Sequence, residues 1–147
     1  MSTNPSVTIS VTRQFTAAPE RVFDAWLDPV MIGRFMFGSH LRDEEVLHLK
    51  VDARVGGGFS FLVRRQGMEI DHVGHYRELV RPQRLVFTWG VAGASADKSV
   101  VTIEIAVLGT GSQLTLTHEM DPKWAEYASR TEAGWTKMLA ALETAFV

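Results

Sequence analysis

Five histidines and no cysteine bound the chemistry that this 147-residue chain can hold. Without thiols there are no disulfides, no thiolate metal sites and no cysteine nucleophile. His72 and His75 have the three-residue spacing of some metal-ligand pairs. Both fall in a strand-like stretch, however, where residues three apart point to opposite faces and cannot chelate one ion without a bulge. One should face inward and the other solvent, and parity leaves open which. His118-Glu119 opens like a helical zinc motif, but Pro122 stands where the second histidine belongs. No metal and no cofactor is expected.

His118 closes an alternating run with Leu114 and Leu116 and is the preferred inward polar group. There it would donate or accept one hydrogen bond to a ligand near neutral pH. The alternative is a histidine satisfied by a backbone carbonyl or water at a strand end. No serine sits in a G-x-S-x-G elbow, and none is placed against a histidine by sequence. Gly56-Gly57-Gly58 lacks the lysine of a phosphate loop and does not fit G-x-G-x-x-G, which disfavours nucleotides. Glu44-Glu45 and Arg64-Arg65 read as solvated charge, and Asp52 with Arg54 as an ion pair supporting the glycine turn.

The elements that must position these residues follow from periodicity. Val7, Ile9 and Val11 alternate with polar residues as a half-buried strand does. Ala17-Ala18-Pro19-Glu20 opens a helix with the stripe Val22, Phe23, Trp26, Leu27, and Asp28-Pro29 punctuates it before a second short helix over about 30–35. From Glu45 to Glu119 six strands follow, separated by Gly56-Gly57-Gly58, Gln66-Gly67, Pro82-Gln83, the loop Gly90 to Ala96, and Gly109-Thr110-Gly111. Such short connections imply an antiparallel meander, since parallel units need crossover helices. The last 25 residues change period: Trp124, Tyr127, Thr131, Trp135, Met138, Leu142 and Phe146 predict one long amphipathic helix, broken near Ser129 if anywhere. The fold class is α+β: a strand, two short helices, six strands forming a curved antiparallel sheet, and a long carboxy-terminal helix for the sheet to wrap.

At this length one domain is expected, over 7–147, with residues 1–6 a disordered tail. A content of 46% hydrophobic and 22% charged residues excludes intrinsic disorder. Fifteen basic against seventeen acidic residues, a net charge of -2, leave no electrostatic footprint for nucleic acid or an anionic membrane. No stretch is long and apolar enough for a membrane span or a signal peptide, and the cytoplasm is the expected location.

Several motifs resemble one family. Ala18-Pro19-Glu20-Arg21-Val22-Phe23-Asp24-Ala25-Trp26 with Asp28-Pro29, the D-x-R-x-G-G run from Asp52 to Gly57, Gly74-His75-Tyr76-Arg77-Glu78-Leu79, Arg84 to Trp89, and Leu114 to His118 occur in order. Together they resemble bacterial proteins similar to the carboxy-terminal domain of the activator of Hsp90 ATPase, within the START-like, Bet v 1-like superfamily. The resemblance spans about Ile9 to Phe146 and implies a helix-grip fold over an apolar cavity. Where many members carry paired tryptophans, this chain reads Arg34-Phe35-Met36-Phe37-Gly38, so relatives' ligand preferences do not transfer.

In such a fold a ligand would sit between the concave sheet face and the terminal helix. Alternation nominates Phe59, Phe61, Leu85, Phe87, Trp89, Leu116 and His118 as the inward set, with Trp135, Met138 and Leu142 opposite on the helix. Phe35, Phe37 and His72 complete the expected cavity lining. Singly, each reads first as core; together, their aromatic richness points to a cavity. Gly134 interrupts the helix at a cost of about 1 kcal/mol relative to alanine, and close packing against the sheet is the expected reason, space for a ligand the alternative.

The primary reading is a domain binding a small apolar or aromatic molecule. The alternative is a cofactor-free enzyme, as some START-like relatives are cyclases or hydrolases, using His118, His72 or an acidic residue as acid or base. Hsp90 is not the expected partner, because the additional chaperone-engaging domain of the eukaryotic activators has no room in 147 residues. A homodimer through an edge strand or exposed aromatics is compatible with the sequence.

Overall fold

Alternating residues from Val7 onward form β1 (Val7–Phe15), and the paired Pro signals then start α1 (Pro19–Ala25) and α2 (Pro29–Phe35). In both helices proline occupies the first turn, where its missing N–H leaves no bond unmade. Asp28 also caps α2, its carboxylate accepting from the Val30 N–H at 3.0 Å. The remaining strands are β2 (Glu45–Val51), β3 (Gly58–Arg65), β4 (Met68–Val80), β5 (Arg84–Val91), β6 (Ser99–Leu108) and β7 (Gly111–Met120). A 3-10 turn (Pro122–Tyr127) leads into α3 (Ala128–Ala145). This computed structural model describes residues 7–93 and 99–146. The expected tail, residues 1–6, and the far part of the Gly90 to Ala96 loop lie outside the described residues.

The seven strands form one antiparallel sheet in the order β1-β7-β6-β5-β4-β3-β2. The two short helices carry the chain from one sheet edge to the other, and the meander returns until β7 pairs with β1. Register shifts between Val46 and His48 in β2 and between Tyr76 and Glu78 in β4 mark bulges that bend the strands. At Gly74 of β4 the backbone of β5 comes so close that a Cβ would lie 1.9 Å from the Thr88 carbonyl oxygen. Only glycine fits there.

The concave face and α3 share the core. Leu85, Ile103, Leu114, Leu116, Leu139 and Leu142 are fully buried, each contributing roughly 1.5–3 kcal/mol by leaving water. The helix differs from its expected form. Trp124 and Tyr127 lie in the 3-10 turn and are exposed, because its three-residue turn changes the angular phase before the α-helix begins. The junction at Ala128 sits one residue from the expected break. Within α3 the inward stripe is Trp135, Leu139 and Leu142, while Met138 is half-buried at its edge. Among the described residues no helix is long and apolar enough to cross a membrane.

Candidate ligand pocket

The space between sheet and helix is two compartments. The inner one is bounded by Trp26, Met36, Phe59, Phe61, Tyr76, Phe87 and Trp89 and has a free volume of only about 10 Å³, which is about one water. Trp26 plugs it, packing edge-on against Phe35 at 5.0 Å and lying 6.0 Å from Trp135 and 6.4 Å from Phe87. Its indole N–H is the one buried side-chain polar atom without a partner among the described residues.

The outer compartment is an open pocket of about 430 Å³ between α3, the 3-10 turn and the ends of β4, β5, β6 and β7. That lies within the range of roughly 300–1,000 Å³ usual for small-molecule sites. One wall is aromatic: Phe37 lies 4.8 Å from the His72 ring and stacks on Trp89 at 6.5 Å, and Trp89 lies 5.6 Å from Trp135. Met120, Trp124, Thr131, Gly134 and Met138 frame the helix side. Among the described residues no atom outside the adjoining helix backbone lies within 4 Å of where a Cβ on Gly134 would stand. Close packing is therefore not the reason for this glycine; its missing side chain leaves pocket volume empty.

His118 forms the pocket floor and is fully engaged. The Trp135 Nε1–H donates to its Nδ1 at 3.0 Å. An indole can only donate, so Nδ1 carries the lone pair and Nε2 the proton. Nε2 then donates to Ser99 Oγ at 2.8 Å, and the Ser99 hydroxyl donates to the Trp89 carbonyl at 2.6 Å. Burial lowers the His118 pKa to about 4, so the ring is neutral at ordinary pH. A serine does lie against a histidine, contrary to the sequence expectation, because the β5–β6 and β6–β7 pairings bring together residues 19 apart in the chain. Yet the bond runs opposite to that of a hydrolase, whose histidine offers its lone pair to the serine. A second serine, Ser60, bridges His48 Nε2 at 2.8 Å and Asp71 Oδ1 at 2.7 Å, a chain with serine in the middle.

His72 is the histidine that faces the pocket, while His75 is exposed on the outer face. The register supplies the reason: His72 pairs with inward Phe61, and His75 with Gly58. Its Nδ1–H donates to the Phe61 carbonyl at 3.1 Å, which leaves the lone pair on Nε2. Burial pushes its pKa down, with the Phe61 bond opposing.

At the far end of the pocket stand Arg42 and Arg65, both held by Glu44. Arg65 Nη2 and Nε donate to Glu44 Oε1 at 2.6 and 3.1 Å; Arg42 Nη1 donates to Oε2 at 2.8 Å and to the Met36 carbonyl at 3.0 Å. The Gly38 N–H also donates to Oε2 at 2.8 Å. Burial raises the Glu44 pKa, but the Gly38 bond and the two guanidiniums outweigh it and hold the carboxyl below its ordinary value. Reading Glu44 and Arg65 as solvated charge therefore fails: the Glu44 side chain is 0% exposed. The β2–β3 hairpin brings its two ends together, with Glu45 opposite Arg64, and that pairing was the missed signal. Asp52 and Arg54 do form their expected ion pair, at 2.9 Å, in an exposed turn after β2 has ended.

Of the residues nominated from sequence, Phe37, His72, Trp89, His118, Trp135 and Met138 line the open pocket. Phe59, Phe61 and Phe87 line the filled compartment, to which Trp89 also contributes, and Phe35 and Leu142 are core that borders neither. Arg42, Arg65 and Gly90 are lining residues that the sequence reading missed. No group of three histidine, aspartate or glutamate side chains converges as a metal site would among the described residues.

Residues 16–146 match the profile of a family described as activator of Hsp90 ATPase homolog 1-like protein. Protein CV1439 from Chromobacterium violaceum is 28% identical, with a TM-score of 0.76 over 93% of this chain and 94% of its own. Mll3558 from Rhizobium loti is 26% identical, with a TM-score of 0.76 over 95% and 96%. An AHSA1-like protein from Aeromonas hydrophila, 23% identical, shares the fold with a TM-score of 0.77 over 94% and 90%. No curated protein matches.

Proposed function

The chain belongs to the activator of Hsp90 ATPase homolog 1-like family, and from that premise we propose that it is a cytoplasmic single-domain protein that binds a small apolar or aromatic molecule in the outer pocket. The observation that carries this reading is the empty side-chain space at Gly134 in mid-helix, opening onto an aromatic wall. A glycine there weakens the helix without improving its packing, and room for a ligand is the compensating use. Trp89, Trp135 and Phe37 supply rigid apolar surface, and Met120 and Met138 supply adjustable edges.

The acid–base alternative loses its preferred residue, since both nitrogens of His118 are committed within the protein. Hsp90 is not proposed as a partner.

N-phenyl-1-naphthylamine, a neutral fluorescent aromatic, tests the reading. Its emission should rise with saturable dependence on wild-type protein and stay low with Gly134→Leu, which fills the pocket, provided the variant retains a cooperative melt. Equal binding by both proteins, or none by wild type, would remove the pocket from the function.

A further inference from the structure

The charge of the pocket is concentrated at one end. Among the described residues Arg42 and Arg65 are its only charged lining residues, and the carboxylate that holds them lies beneath, with a fully buried side chain. Both Glu44 oxygens are saturated: one takes Nε and Nη2 of Arg65, the other Nη1 of Arg42 and the Gly38 N–H. Two guanidiniums against one carboxylate leave one positive charge. Hydrogen-bonding capacity remains too. Among the described residues no acceptor meets Nη1 of Arg65, or Nε and Nη2 of Arg42.

These side chains are held in place as well as charged. Glu44 ties Arg42 from the loop after α2 to Arg65 at the end of β3, and the Arg42 guanidinium lies 5.9 Å from the centre of the Phe37 ring. Fixed, partly desolvated guanidiniums with free N–H groups bind carboxylates in paired, charge-assisted hydrogen bonds. A single carboxylate also matches the surplus of one positive charge on the Arg42–Glu44–Arg65 cluster.

We propose that the ligand of the outer pocket is a monocarboxylate whose charged group docks on Arg42 and Arg65 and whose apolar body lies against Trp89, Trp135 and Met138. The inference rests on the ligand-binding reading above and adds the class and orientation of the molecule. The Arg42–Arg65 end sets the polarity, and the Gly134 space accommodates the body.

Two matched pairs of probes test it by calorimetry with the wild-type protein: 2-naphthylacetate against 2-naphthylacetamide, and decanoate against decanamide. Each carboxylate should bind at least tenfold more tightly than its amide, and the preference should shrink as salt rises, because the guanidiniums are partly exposed. The triple variant Arg42→Gln, Glu44→Gln, Arg65→Gln removes the whole cluster without stranding a charge and should bring the ratio to about one while amide affinity stays. If that variant does not fold, the salt dependence in wild type still decides. Amides bound as well as carboxylates overturn the anion inference and leave the apolar pocket standing. Neither member of either pair binding, together with no N-phenyl-1-naphthylamine signal, overturns both.

Discussion

The two compartments under the sheet both have aromatic walls and differ in what occupies them. Around Trp26 the rings of Phe59, Phe61 and Phe87 leave about 10 Å³; around Trp135, the rings of Phe37, His72 and Trp89 frame about 430 Å³. The difference lies in which side chains enter from the helices. Trp26, following α1, fills the inner space, whereas α3 presents Gly134 to the outer one. Aromatic richness alone therefore marks neither a core nor a site. What separates them is the residue opposite the aromatics.

The sharpest way to break this comparison is to truncate one side chain on each side. Phe87→Ala in the filled compartment should cost about 3–5 kcal/mol in urea denaturation, the usual penalty for a buried ring with the void it leaves. Met138→Ala on the pocket edge should cost less than about 2 kcal/mol, the low end for a buried methionine, because this partly buried side chain already borders open space. Similar costs at both positions would make the two spaces a single core.

A second difference is electrostatic and appears as pH dependence. His118, under the outer pocket, has its pKa lowered by burial from 6.5 to about 4. The unfolded chain thus takes up this proton at higher pH than the folded protein does. Stability is full above pH 6.5 and is lost as pH falls toward 4, by up to about 3 kcal/mol. His118→Gln, which can still accept from Trp135 and donate to Ser99, should flatten that slope, leaving the parts due to His72 and, toward pH 4.5, to Glu44, whose pKa values are also lowered. Urea melts at pH 7.5 and 4.5 measure it, and an unchanged slope in the variant would mean that His118 takes its proton without disturbing the fold.

The same contrast explains what was legible in the sequence. Strand order, turns and the α+β class follow from alternation and glycine or proline punctuation, which are local signals. The inward faces were legible too, since Phe61, Phe87 and His118 share the parity of buried neighbours. Whether an inward residue meets a ring or a void depends on residues far away in the chain, as Trp26 does on Phe87. In α3 the expected Trp135 and Leu142 do face inward, with Leu139 added on the same face, whereas Trp124 and Tyr127 fall out of that stripe because the 3-10 turn holding them has three residues per turn. Glu44 and Arg65 looked solvated because only the β2–β3 pairing joins them across 21 residues.

The smallest expected effect is also the most discriminating. Gly134→Ala adds one methyl group where, among the described residues, no atom outside the adjoining helix backbone lies within 4 Å, so it meets no clash with them. It should stabilise the helix by up to about 1 kcal/mol, the difference in helix propensity between the two residues, and raise the melting temperature slightly. Because the methyl enters the outer pocket, affinity for N-phenyl-1-naphthylamine should fall a few-fold in the same variant. Opposite signs for stability and binding are what a glycine kept for ligand space produces. If alanine destabilises the protein, the space above Gly134 is closed in solution. If it stabilises the protein and binding is unchanged, the ligand body lies elsewhere along the aromatic wall, toward Phe37 and the two arginines.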